Sequence, residues 1–393
     1  MYLRPSEHIE RLRAELRHYF GALLTDEIRR ELRAEGTAGG PVRSRVLRQI
    51  GSDGWLGIGW PAEYGGQEQG PDAQYVLFDE AYRAGAPLSM VTLTTVAPTL
   101  MAKGSQAQKD HFLPRILRGE LVFAIGYTEP GAGTDLASLR TRAVRDGDEY
   151  VVNGNKVFTS GADGADWIWL AARTNTEVPK HKGISLILVP TSADGFSVTP
   201  IRTVGGGTTT ATYYDNVRVP VTNVVGEQDR GWDLITTQLN HERVGLAAFS
   251  GICAGMLEDT LEWARDHKSS DGRTMIEVPW IRTALAQAQA RVRAMELTNW
   301  QLVYSANGAS VTPGDASAAK VFATETAVDV YRALLEVRGA TAMRVTEQPW
   351  RIESGRLAQM NLSAQINTFG GGVAEIQREI VAWTRLDMAR RPR

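Results

Sequence analysis

A single cysteine, Cys253, stands in the 393 residues, so no disulfide can form within the chain. Set in an apolar stretch, it reads as packing rather than as a nucleophile. Such cysteine usage points to the reducing cytoplasm. Long apolar runs are also missing. The longest, from Val244 to Leu257, has about 14 residues, short of the ~20 that cross a bilayer and right for a buried helix. The N-terminus is charged from Arg4 onward and shows no apolar core of a secretory leader. The six histidines have no metal-ligand spacing: His181 and His241 are isolated and His267 lies among charges, so neither zinc nor iron is expected. Charge of one sign is lacking too. A net charge of −2 excludes neither class of partner outright, but it points away from nucleic acid and anionic membrane.

What is present is an ordinary globular composition, 43% apolar and 22% charged, in a chain long enough for a large unstapled core. At roughly 150 residues per domain, two or three domains are expected. Three zones follow from the patterning: residues 1–120, 121–231 and 232–393. In the first, Ile9, Leu12, Leu16, Tyr19 and Leu23 recur at helical steps behind Pro5 and Ser6, a start signal. A break follows at Trp60–Gly66, then a helix over Ala73–Ala84 stopped by Gly85 and Pro87. In the second zone, helical periodicity gives way to β-prone runs at 150–152, 167–170 and 184–189. Asp146-Gly147-Asp148, Asn153-Gly154-Asn155, Asp194-Gly195 and Gly205-Gly206-Gly207 separate them, and Asn153-Gly154 reads as a hairpin turn. The third zone returns to helix over 233–268, 279–307, 314–338, 350–366 and 373–388. The fold class is therefore α+β, with a small antiparallel β domain between helical ones.

The densest chemical signal is Tyr127-Thr128-Glu129-Pro130-Gly131-Ala132-Gly133-Thr134-Asp135. Gly131, Ala132 and Gly133 leave the main chain approachable, and Thr128 and Thr134 add hydroxyls. Such a loop can cradle a polar-edged planar ligand or a phosphate, or simply be a tight turn.

This segment resembles the acyl-CoA dehydrogenase signature. So do Trp60-Pro61-Ala62-Glu63-Tyr64-Gly65-Gly66, Asp146–Lys156 and Asp215-Asn216-Val217-Arg218-Val219-Pro220, in the family's order along essentially the whole chain. The resemblance implies an N-terminal helical domain, a middle β domain and a C-terminal four-helix bundle. It also implies FAD between sheet and bundle and an acyl-CoA substrate. Tyr127 and Thr128 would face the flavin, and Gly133 and Thr134 would approach the flavin or the CoA phosphates. Phe158, Thr159 and Ser160 would cover its other side, with Phe158 where the family usually has Trp; strand packing is the plainer reading of Phe158.

The family often takes its base from a Tyr-Glu-Gly-Thr segment before the last helix. Here that segment is Phe369-Gly370-Gly371-Gly372, with Gly371 in the Glu position and only its backbone N–H left to meet the thioester oxygen. Other members supply the carboxylate from a bundle helix, which matches Glu242 in Asn240-His241-Glu242-Arg243-Val244. Glu242 is thus expected to take the α proton, with Glu375 the weaker candidate; an ion pair with Arg243 is the plainer reading of Glu242. Arg243 would bind CoA phosphate, steady Glu242 or make a structural pair.

Within the family, the chain resembles the catalytic subunit of actinobacterial heterotetrameric (α2β2) dehydrogenases of steroid side chains, on Gln238–Val244, Phe369–Gly372 and Ala211-Thr212-Tyr213-Tyr214. Departures from the homotetramer pattern at Lys268–Gly272, Val337–Ala340 and Val373 fit a related β subunit completing the flavin site. A homotetramer stays open as the alternative. Electron-transfer flavoprotein is the expected acceptor. Three other readings remain: a non-catalytic partner subunit, a flavin oxidase or monooxygenase, and a CoA-ester binding protein.

Overall fold

Ser6 opens the first helix by accepting the Ile9 N–H at 3.3 Å, with Glu7 and Glu10 in the first turn where the helix dipole favours acids. The computed structural model describes residues 5–36, 39–236, 247–308, 311–343 and 355–389. Six helices lead the described chain: α1 (Glu7–Leu23), α2 (Asp26–Glu35), α3 (Pro41–Ser52), α4 (Gly70–Ala84), α5 (Ala97–Lys103) and α6 (Gln106–Leu117). A π-helical turn, Val91–Val96, runs into α5. The buried face of α1 is Ile9, Leu12, Leu16 and Phe20. Tyr19 and Leu23, expected on that face, are only half-buried against it, because a 3.6-residue period carries the stripe on through Phe20. Gly85 ends α4 in the left-handed region at φ +82°, as the sequence implies.

The middle zone is one eight-stranded sheet. Its strands are β1 (Phe123–Gly126), β2 (Arg142–Asp146), β3 (Glu149–Val157), β4 (Trp167–Arg173), β5 (Ile184–Pro190), β6 (Phe196–Arg202), β7 (Thr208–Pro220) and β8 (Val224–Val225). The order is β6-β7-β3-β2-β4-β5-β8, with β1 beside β4. Pairing is antiparallel except that β1 runs parallel to β4 and β2 touches β4 in parallel at one register. The apolar runs of β4 and β5 do not alternate because both faces are covered. Ile168, Leu170, Ile187 and Val189 fill one side, whereas Trp169, Ala171, Leu186 and Leu188 join the helical core on the other.

Asn153-Gly154 is not a hairpin turn. The β2–β3 turn is at Asp146–Glu149, with Gly147 at φ +63°. Asn153-Gly154 instead marks a register shift within β3. A side chain at Gly154 would stand 2.7 Å from the Thr141 Cα, and its φ is +144°. The glycine is there for close backbone approach, which a local turn motif does not distinguish from reversal.

The last zone holds α7 (Ala247–Asp266), α8 (Pro279–Gly308), α9 (Pro313–Arg338), α10 (Arg356–Ala364) and α11 (Ala374–Arg385). Helix α7 crosses α4 closely: a Cβ at Gly251 would lie 2.4 Å from the Asp79 carbonyl oxygen. Asp79 and Glu80, both buried on α4, are met by Arg13 of α1, and Arg17 grips Glu80 through two bonds of 2.9 Å. The tip of the β6–β7 hairpin touches the bundle, where Cβ atoms built at Gly205 and Gly206 would meet Ser363 and Gln359 of α10.

Candidate active site

The loop after β1 is shaped by a buried ion pair. Glu129 and Ala132 exchange backbone bonds of 3.0 and 3.1 Å, closing the turn around Pro130 and Gly131. The Glu129 carboxylate turns inward and accepts the N–H groups of Arg140 (2.7 Å) and Thr141 (2.8 Å). Lys156 of β3, fully buried, donates to Glu129 at 2.9 Å and to the Tyr127 carbonyl at 3.0 Å. Burial pushes the Lys156 ammonium well below the usual lysine range, with Glu129 opposing the shift. The Glu129 carboxyl is likewise held below its ordinary value: burial opposes this, but Lys156 and the Thr141 contacts outweigh it. Neither residue stood out in the sequence. An acid inside a glycine-rich turn was the available signal, together with a lysine at the inward position of an alternating strand.

With the loop's carbonyl and carboxylate oxygens drawn inward, its outer side is bare main chain. Gly131 and Gly133 are exposed; a Cβ at Gly131 would meet nothing within 4 Å and one at Gly133 only Thr128, at 4.0 Å. Thr134 is exposed. Tyr127 and Thr128 are half-buried; the Tyr127 hydroxyl takes the Trp169 indole N–H at 3.1 Å. The Thr128 carbonyl accepts the Val157 N–H at 2.9 Å, which ties this loop directly to the end of β3.

There the chain presents Phe158, 63% exposed and at φ +60°. A bulky residue with positive φ is uncommon, and such outliers concentrate at functional sites. Thr159 faces the other way: its side chain is fully buried, with the Thr212 hydroxyl 3.4 Å away. Ser160 is exposed and its hydroxyl meets that of Thr209 at 2.8 Å. The structure thus brings Tyr127, Thr128, Gly133, Thr134, Phe158 and Ser160 onto two linked loops, with Thr159 supporting from behind.

On the bundle side, Gly371 and Gly372 lie in the turn before α11, both at positive φ. Glu375 is exposed in the first turn of α11. Glu242 and Arg243 lie outside the described residues. At 268–274 the chain forms a local knot, with Asp271 taking two side-chain bonds from Arg273. Arg338 is buried over the Trp263 ring at 4.8 Å. Among the described residues no cluster of metal-ligating side chains occurs, and no helix is long and apolar enough to cross a membrane.

The chain matches the descriptions of the acyl-CoA dehydrogenase N-terminal domain over residues 6–120, the middle domain over 124–217 and the C-terminal domain over 229–385. It is 49% identical to acyl-CoA dehydrogenase FadE26 of Mycobacterium tuberculosis over 97% of each chain. The chain belongs to the acyl-CoA dehydrogenase family. Among solved structures of the family, the Tcur3481–Tcur3483 steroid acyl-CoA dehydrogenase superposes with a TM-score of 0.93 at 53% identity, covering 100% of both chains. The ChsE4–ChsE5 complex of M. tuberculosis gives 0.91 at 48% identity, again over 100% of both. Acyl-CoA dehydrogenases are FAD enzymes, and the residues here fit that cofactor. An aromatic ring is held out beside a glycine-bare main chain, flanked by the hydroxyls of Thr128, Thr134 and Ser160.

Proposed function

We propose that this acyl-CoA dehydrogenase removes hydrogen across the Cα–Cβ bond of a steroid side-chain CoA ester, with Glu242 as the base. The observation that carries the assignment of the base is the turn Gly370-Gly371-Gly372. No carboxylate is available there, and the nearest acid, Glu375, is exposed. A thioester α proton is weakly acidic, so its removal needs a carboxylate held in a dry site. Glu242, at the head of the long apolar stretch leading into α7, is the residue that answers this need. The Gly371 N–H survives the loss of a side chain and can donate to the thioester oxygen as negative charge develops on it. Arg243 would bind the CoA phosphate or steady Glu242.

FAD, when bound, supplies the oxidant that receives the β hydride. Tyr127, Thr128, Gly133, Thr134, Phe158 and Ser160 would hold it, with Thr159 setting the Phe158–Ser160 backbone. Domains at 1–120, 121–231 and 232–393 would then place sheet and bundle on opposite sides of the reaction. The steroid substrate is supported by the likeness to the Tcur3481–Tcur3483 steroid acyl-CoA dehydrogenase, and assembly with a related subunit by the likeness to the ChsE4–ChsE5 complex and by the altered 268–272 and 337–340 segments. Electron-transfer flavoprotein is the acceptor this reading expects, and the cytoplasm its compartment.

Glu242→Gln tests the assignment. The variant should keep its flavin and lose at least ~100-fold in turnover with a steroid side-chain acyl-CoA. Undiminished turnover would remove Glu242 from the mechanism.

A further inference from the structure

Lys320 sits in the middle of α9, 2% exposed, among Ala316, Ser317, Ala319 and Thr324, which are also buried. Its Nζ donates to the Gly372 carbonyl at 2.8 Å and to the Thr368 carbonyl at 3.2 Å. Those two carbonyls bracket Phe369, Gly370 and Gly371. The N–H groups of Phe369 and Gly370 are both taken by the Ile366 carbonyl, at 3.2 and 2.7 Å. Gly371 follows at φ +65° and Gly372 at φ +98°. The Gln377 side chain closes the other flank, lying 2.4 Å from where a Cβ on Gly372 would stand. Among the described residues, the Gly371 N–H donates to no group, while the Phe369 and Gly370 N–H groups and the Thr368 and Gly372 carbonyls are committed. The Lys320 amine is bonded to the carbonyls on either side of this uncommitted donor.

We propose that Lys320 is a positioning residue for the dehydrogenation. By pulling the carbonyls on either side inward, it turns the Gly371 N–H toward the thioester oxygen, and its charge strengthens that dipole where negative charge accumulates. This rests on the reading of Gly371 given above. The role differs from simple anchoring. An anchor affects stability, whereas a charge behind the donor also affects how readily the α proton leaves.

The test uses the FAD-loaded protein, with its partner chain if one is needed for loading, as wild type, Lys320→Met, Lys320→Gln and Lys320→Arg. The probe is a 3-thiaacyl-CoA, in which sulfur replaces the β methylene so that only proton removal can occur. Its long-wavelength absorbance beside oxidised flavin reports the enolate. For Lys320→Met we expect kcat to fall roughly 10- to 100-fold with KM within about 3-fold. The pH at which the absorbance half-forms should rise by about one unit or more, since removing a nearby charge has that order of effect. Peptides spanning 365–373 should exchange amide hydrogens faster in the absence of ligand. Lys320→Arg should restore the pH of half-formation. Lys320→Gln, which keeps a donor without charge, stands in if the Met variant does not fold, and should show the same pH rise. An unchanged half-formation pH in a folded uncharged variant overturns the proposal, whatever happens to kcat. If Glu242→Gln also forms the absorbance normally, the assignment of the base is at fault instead.

Discussion

Glu129 and Lys156 are 27 positions apart in sequence and make the contact on which the signature loop depends. That separation is why the sequence did not disclose the pair: each looked like part of a motif, and only strand β3 lying beside the loop joins them. Removing one partner of a buried pair leaves a charge without compensation, which typically costs ~3–5 kcal/mol. Lys156→Met should therefore destabilise by that order, and the double variant with Glu129→Gln by less. The pH dependence follows from Glu129. Its folded-state value lies below the ordinary 4.5, so its contribution is complete above that pH and is lost as pH falls through the folded value. The difference in Tm between wild type and Glu129→Gln should be largest near neutrality and shrink below about pH 4.5. A gap as wide at pH 3.5–4 as at pH 7 would contradict this. Glu242, by contrast, is a proposal that rests on the family resemblance, which sets Gly371 where a carboxylate is usual and matches Glu242 to the alternative position.

At the scale of elements, helices were the legible part. Caps, periodicity and glycine stops placed α1, α4, α8 and α9 near their observed bounds. The sheet was less so, since its buried strands lack alternation and its turns share residues with its irregularities. Gly154 illustrates the point, as its neighbours Asn153 and Asn155 spell a reversal while the backbone continues. Gly154→Ala would bring a methyl into the Thr141 backbone at a φ that L residues avoid, and should cost ~1–3 kcal/mol. Gly147→Ala, in the true turn and with open space around it, should cost less despite its positive φ. Chemical denaturation of both variants orders them, and an equal or reversed order would show that β3 accommodates the methyl by shifting.

For the whole molecule, the order helices–sheet–helices was readable, but the way the parts lock was not. Arg13 and Arg17 reach from α1 to buried acids on α4, and Gly251 lets α7 press against the same stretch. Such contacts join residues too distant in sequence for any local pattern to connect. A second chain at the flavin site, as proposed above, would be equally invisible to any local pattern. Expressed alone, the protein should carry well below one FAD per chain; co-expressed with a related dehydrogenase subunit, it should elute as a larger complex with the flavin absorbance restored. A homogeneous homotetramer with full flavin would leave no role for a second subunit.

An acyl-CoA is also an acylating agent, and uncharged amines are its targets. Burial brings the Lys156 amine closer to losing a proton, yet its nitrogen is sealed beneath the loop and already bonded twice. Acylation by the enzyme's own substrate is therefore expected at exposed lysines such as Lys103, away from the Glu129–Lys156 contact.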